Sequence, residues 1–327
     1  MKAIVIAEYG APEVLTLREI PDPVPGPEDL LVRVKATALN RADILQRRGL
    51  YPQPGPKAEF EIPGLEFAGE VIACGSRVTG FAEGDRVMGL LAGGGYAEKV
   101  VIQQRLASRI PPSLSFEQAA SVPEAFITAH DALVQCSLAC GETVLIHAAG
   151  SGVGTAAVQI AKAMGAALVL GTAGSEDKLA AARVLGLDLG IDYKNEVFAD
   201  RVLEATDGRG ADVLLDFVGA SYLEANVRSL AEKGRMVVIG LMGGFNADLP
   251  LGALLQKRLT IRGTLLRARS LEEKATATRA FEKSVLPHLE SGRIRTVVDT
   301  VFPLAEAAEA HRLMEGNANF GKIVLSV

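Results

Sequence analysis

The chain is short of three things on which many proteins are built. It has only three cysteines in 327 residues, Cys74, Cys136 and Cys140. They are too few and too unevenly spaced for a disulfide framework, so a reducing, cytoplasmic setting is expected. It has no surplus of positive charge, since 34 Lys and Arg stand against 39 Asp and Glu for a formal net charge of -5. Without a basic field to gather phosphates, nucleic acid and membrane surfaces are excluded as expected partners, leaving small molecules and other copies of the chain. It also lacks an unbroken apolar span. The run from Thr143 to Ala161 is interrupted by His147, Gly150, Gly152 and Gly154, which suits a buried strand and helix better than a membrane crossing. The opening MKAIVIAEYG alternates like a strand and carries no basic leader, so no signal peptide is expected.

Core material is abundant. Hydrophobic residues make up 49% and charged residues 22%, enough for one large or two ordinary domains. The first hundred residues read as short strands, among them KAIVIAEY, LLVRVKATAL, EFAGEVIACG and YAEKVVI, with Pro- and Gly-rich turns such as DPVPGPED and YPQPGPKAEFEIPG between them. This predicts a small, partly open β-barrel with a helix only at residues 40–48. From about Ser115 the period changes. Strand TVLIHAA, helix GVGTAAVQIAKAM, strand ALVLGTA, helix EDKLAAARVL and strand LGIDY begin an alternation that runs on to strand RMVVIG. Strands without polar alternation, joined by helices, predict an α/β domain with a doubly wound parallel sheet.

LTIRGTLL, residues 259–266, reads as a further strand, and SLEEKATATRAFEKSVLPHLESG as a long helix that Pro287 should interrupt. The closing TVVDTVFPL, AEAAEAHRLME and GKIVLSV resemble the first part of the chain. The expected division is therefore a barrel domain of residues 1–124 plus 266–327, with residues 125–265 inserted as the doubly wound domain.

HAAGSGVGTAAVQIAKAMG carries a dinucleotide fingerprint with Ala149 and Ser151 at the first two glycine positions and Gly154 at the third. A strand entering such a turn and then a helix aims backbone N–H groups at a diphosphate; Gly152, Val153 and Gly154 would supply that surface, and Ser151 a hydroxyl beside it. NAD sites end the next strand in a carboxylate that binds the ribose hydroxyls. Here Thr172 and Ser175 stand at the tip, Lys178 follows in the helix, and Tyr193 closes the strand after it. Hydroxyls and an ammonium suit a 2′-phosphate, which predicts NADPH. His147, on a buried strand, reads as a satisfied core histidine, and Cys136 and Cys140 as buried, inert thiols sharing a helical face.

With PGLEFAGEV, FAEGDRVMG, AAGSGVG and the closing NFGKIVL, nearly the whole chain resembles the medium-chain dehydrogenase/reductase superfamily, in its quinone oxidoreductase branch. The resemblance implies a Rossmann cofactor domain inserted into a GroES-like barrel domain, a homodimer paired through the strand near residues 259–266, and an acceptor stacked on the nicotinamide in an interdomain cleft. The zinc alcohol dehydrogenases of that superfamily carry a metal-binding cysteine and a Gly-His-Glu motif. Here those positions are Asn40, Leu65 and Glu66, and no cysteine-rich loop is present, so no metal is expected.

NRADILQRRGLYPQPGP resembles a narrower group, the tumour-suppressor-inducible NADPH:quinone oxidoreductases, which implies Tyr51 and Ser151 as substrate-site residues. It further implies Asn40 and Thr128 near the nicotinamide, a cofactor wall of Gly240, Leu241, Met242, Leu265 and Leu266, and a closing segment of Asn319, Phe320 and Lys322. The expected activity is metal-free reduction of quinones by NADPH. The alternatives are reduction of activated double bonds in enals, enones or enoyl thioesters, or a weakly catalytic NADPH-binding regulatory or structural role.

Overall fold

Strand Asp29–Ala38 buries Leu30, Val32, Val34 and Ala36, the period of two that its sequence carries. On one edge it pairs antiparallel with Glu66–Cys74; on the other, Lys99–Gln103 covers its first half and Lys322–Ser326 its last residues. The computed structural model describes residues 1–55 and 59–327, so Pro56, Lys57 and Ala58 of the loop YPQPGPKAEFEIPG lie outside the described residues. Among the described residues this sheet has seven strands, running on through Arg86–Leu90 to Ala107–Arg109 and ending at the other side in Val298–Pro303, parallel to Lys322–Ser326. Helix Ala307–Glu315 makes that crossover. Strands Lys2–Ile6 and Leu15–Glu19 form a separate antiparallel pair.

The chain divides into two compact units, Met1–Ile127 with Leu266–Val327, and Thr128–Leu265. The first boundary falls inside helix Pro123–Gln135.

In the second unit six strands lie in the order Leu189–Asp192, Leu168–Ala173, Thr143–Ile146, Ala211–Asp216, Leu230–Val238 and Thr260–Gly263. Every pairing is parallel. Numbered along the unit this is 3-2-1-4-5-6, the Rossmann order, whose direction reverses beside Thr143–Ile146. That strand is buried throughout, as expected where helices cover both faces. Helix Gly152–Ala163 lies against it and buries Ala156, Ala157 and Ala161, side chains small enough for close approach.

The proline break is present: helix Leu271–Ser284 stops, and Leu286–Glu290 restarts with Pro287 in its first turn. Two expectations need correcting, and one helix was not expected. LTIRGTLL is strand only over Thr260–Gly263, after which Leu265 is exposed and Leu266 buried. Helix Leu251–Lys257 was not legible behind its Pro250 and Gly252. Cys136 and Cys140 lie beyond the helix that ends at Gln135, and Cys140 is exposed; only Cys136 is buried, its thiol pushed up to about 11. Among the described residues no helix is long and apolar enough to cross a membrane.

Candidate active site

In the second unit, the turn after Thr143–Ile146 passes through Ala148, a non-glycine residue with φ of 49°, and enters the helix at Ser151. Ser151 Oγ caps the helix by accepting from the Gly154 N–H at 3.0 Å, which leaves its own O–H as a donor. Gly154 is dictated by close approach: a Cβ there would meet the Ala148 carbonyl oxygen at 2.2 Å. Gly152 and Val153 stand in the first helical turn, partly exposed, where N–H groups have no intrahelical acceptor. Thr128, buried at the start of this unit, has a hydroxyl with no hydrogen-bond partner. The first-turn N–H groups of Gly152 and Val153 and the orphaned Thr128 hydroxyl are groups that a dinucleotide could satisfy.

At the next strand tip the residues separate. Thr172 is turned inward, its hydroxyl 3.0 Å from His147 Nδ1 and 1% of its surface exposed. The expectation that Thr172 faces a 2′-phosphate is corrected, because its hydroxyl is spent in the core. His147 Nε2 meets Asn226 Oδ1 at 2.7 Å, and Phe198 and Tyr222 pack against the ring. Burial pushes its pKa down to about 4. Ser175 precedes helix Glu176–Arg183 without spending its hydroxyl on the cap, and Lys178 sits in that helix's first turn. Tyr193 is half-exposed, with its hydroxyl so close to the Gly174 backbone that a Cβ on Gly174 would come within 2.7 Å of it. Tyr193 and the Gly174–Ser175 turn are thus brought together.

The segment Gly240–Met242 follows strand Leu230–Val238 as a loop, with Leu241 and Met242 exposed. The Gly240 N–H donates to the Asp216 main-chain oxygen at 3.3 Å. The buried Asp216 carboxylate holds the neighbouring turn by accepting from the N–H groups of Val218 and Gly219. Asp216 was missed from sequence, although an acid closing an apolar strand is a signal that it must have local partners.

In the first unit, strand register builds a polar cluster. Val324 pairs with Ala38, so Lys322 comes level with Asn40 where the central strand ends, and Glu66 enters from the opposite neighbour. Lys322 Nζ donates to Leu39 O at 2.7 Å, Asn40 Oδ1 at 2.6 Å and Glu66 Oε1 at 2.7 Å. Asn40 Nδ2 donates to Glu66 Oε1 at 2.8 Å, and Glu66 Oε2 accepts the Glu124 N–H at 2.8 Å. Burial, reinforced by Glu66, pushes the Glu124 carboxyl up to about 8. Burial likewise raises Asp43 to about 6, although it accepts from the N–H groups of Asn40 and Gly64 and from the Tyr96 hydroxyl. Lys322 and Asn40 were expected to reach toward cofactor. That expectation is corrected for Lys322, whose ammonium has all three N–H bonds engaged, and the Asn40 amide is engaged at both ends. Asn319 donates to Gly321 O within its own turn, and the Phe320 N–H donates to Asp299 Oδ1 on strand Val298–Pro303.

Tyr51 lies against Arg267, which donates to its carbonyl oxygen and stacks on its ring. Burial first, then Glu124, raise its phenol pKa, with Arg267 opposing. Neither Glu124 nor Arg267 was singled out from sequence, where both look like ordinary surface charges.

A family model described as alcohol dehydrogenase GroES-like domain matches residues 26–112, and one described as zinc-binding dehydrogenase matches residues 152–283. The quinone oxidoreductase of Pseudomonas aeruginosa is 40% identical over 330 residues, covering 99% of this chain and 99% of that protein. The chain belongs to the quinone oxidoreductase branch of the medium-chain dehydrogenase/reductase family. The crystal structure of Escherichia coli quinone oxidoreductase complexed with NADPH superposes on this member of the branch with a TM-score of 0.90 at 32% identity, over 100% of both chains. That of an NAD-dependent alcohol dehydrogenase gives a TM-score of 0.90 at 37% identity, again over 100% of both.

For this quinone oxidoreductase relative, the residues at the metal-ligand positions do not fit a divalent metal. Leu65 offers no lone pair, an amide is a poor replacement for a thiolate, and both Glu66 oxygens are engaged. The chain supplies its own cation there, the Lys322 ammonium.

Proposed function

We propose that this protein is an NADPH-dependent oxidoreductase that reduces quinones without a metal. The observation that carries the reading is the Asn40–Glu66–Lys322 cluster, which fills with side-chain hydrogen bonds the positions where a relative would hold a Lewis acid. An acceptor that is already electrophilic suits such a site. Bound NADPH supplies a hydride. The chain's part is to bind and orient: the Gly152–Gly154 turn takes the diphosphate, Thr128 and the Ser151 O–H provide donors nearby, and Ser175, Lys178 and Tyr193 receive the 2′-phosphate. Tyr51 hydrogen-bonds an acceptor oxygen; the hydride carries both electrons and one hydrogen to the quinone, and one proton from water completes the hydroquinone. Pairing of strand Thr260–Gly263 with its copy, which covers an open sheet edge, makes the protein a homodimer.

The Tyr51 phenol, beside Arg267, also suits a second reading, in which it donates the proton in reduction of activated double bonds, although burial makes it a weaker acid than a free phenol. Anaerobic NADPH oxidation across ortho-quinones, para-quinones, enones and enoyl thioesters separates the two. Quinones should dominate and survive Tyr51→Phe better than enones; a profile led by thioesters overturns the main reading. Lys178→Ala should weaken NADPH far more than NADH, and equal losses would remove the 2′-phosphate assignment. A monomer in light scattering would exclude the dimer.

A further inference from the structure

Arg267, the second residue of the segment with which the chain re-enters the first unit, is only 5% exposed. Its Nε donates to Ala92 O at 2.7 Å, Nη1 to Tyr51 O at 3.1 Å and Nη2 to Gln46 Oε1 at 2.8 Å. Its guanidinium carbon also lies 4.8 Å from the centroid of the Tyr51 ring. One side chain thus grips both the backbone and the ring of the same tyrosine and ties them to helix Arg41–Arg47, through Gln46, and to the turn at Ala92. Taking a guanidinium out of water is costly, and burial lowers the Arg267 pKa. The cost is offset here by a planar fork whose three donors find neutral oxygens while its face meets an aromatic ring, a combination that an ammonium cannot reproduce. Leu50, next to Tyr51, is exposed, so its own side chain does little to anchor the loop.

We infer that Arg267 is the positioning residue for Tyr51, fixing the carbonyl with its donors and the ring with its face so that the phenol keeps one orientation toward the acceptor. This rests on the proposal that Tyr51 binds the acceptor. Arg267 itself touches neither acceptor nor cofactor in this role.

The chain contains no tryptophan, so Tyr51→Trp installs a single indole at the site. In that background, Arg267→Met should raise the acrylamide quenching constant about twofold and lower the fluorescence anisotropy, as expected for an anchored side chain set free. With Tyr51 restored, Arg267→Met should lower kcat/KM for quinones and enones by roughly tenfold to a hundredfold, the size of effect that misplacement of a binding group produces, while the Kd for NADPH stays within about threefold. Arg267→Lys should fall between the two in both measurements and decides the matter if Arg267→Met does not fold. Unchanged quenching overturns the clamp. Freed fluorescence with all acceptor kinetics intact, together with an inert Tyr51→Phe, would instead overturn the role of Tyr51 and with it any catalytic value of the clamp.

Discussion

Lys322 donates to Glu66 at 2.7 Å with 6% and 0% of the two side chains exposed, an ion pair almost wholly removed from water. Its partners lie 282 and 256 residues away in sequence, at Asn40 and Glu66. The pair exists because the last strand of the chain docks beside the first long one.

Breaking that pair from one side should be expensive. Lys322→Met or Glu66→Gln is expected to cost about 3–5 kcal/mol, because each strands a buried charge or its hydrogen-bond partners. The double variant should cost less than the two singles added together. Urea unfolding of the four proteins tests this, and single losses below about 1 kcal/mol would mean that the cluster is not the buried ion pair its geometry describes.

Thr128→Val should behave oppositely in the free and bound protein. The hydroxyl has no partner, so removing it should leave Tm unchanged or slightly higher. If the hydroxyl serves the cofactor, the same change should weaken NADPH binding by roughly tenfold, the value of one hydrogen bond. Calorimetry on the pair of proteins reads both; a lower Tm with unaltered NADPH affinity would assign Thr128 to packing alone.

Much of the fold was legible because hydrophobic period speaks for local structure. Alternation in LLVRVKATAL marked a strand with one buried face, and the unbroken apolar strands from TVLIHAA onward marked a sheet covered on both sides. The same signal hid which way Thr172 points, since a strand buried on both faces has no solvent side for comparison. Lys322 and Arg267 were harder for another reason. Their partners are set by pairing and loop closure across the chain, and neither the lysine of NFGK nor the first of the two arginines of LLRARS carries a mark of burial. Ser151 and Gly154 were readable because their partners lie within three residues.

Glu124 should give stability a negative slope at neutral pH. Its folded carboxyl titrates at about 8 against an ordinary 4.5, so between those values the folded protein holds a proton that the unfolded chain has released. The associated stability is complete below about 4.5 and is lost as pH rises toward 8. Glu124→Gln removes that loss. Its Tm should therefore improve relative to the parent from pH 5 to 8, and parallel Tm curves would show that Glu124 ionises normally.

His147 should act in the other direction. Its folded pKa of about 4 lies below the ordinary 6.5, so on acidification the unfolded chain binds a proton first. The stabilisation present above 6.5 is lost as pH falls toward 4, a contribution on the order of 3 kcal/mol. Urea unfolding at intervals over that range should show a flatter acid limb for His147→Gln than for the parent, and an equally steep limb would place the sensitivity elsewhere.

Ala148, at φ of 49°, holds a left-handed backbone shape that costs an alanine about 1–2 kcal/mol and a glycine almost nothing. An alanine there narrows what the turn can do once it is formed, while a glycine would let it wander. The strain is therefore carried permanently by the free protein, and a diphosphate bound there, as proposed, would meet a turn already shaped to receive it. On that proposal the turn has little ordering entropy left to lose when a dinucleotide arrives.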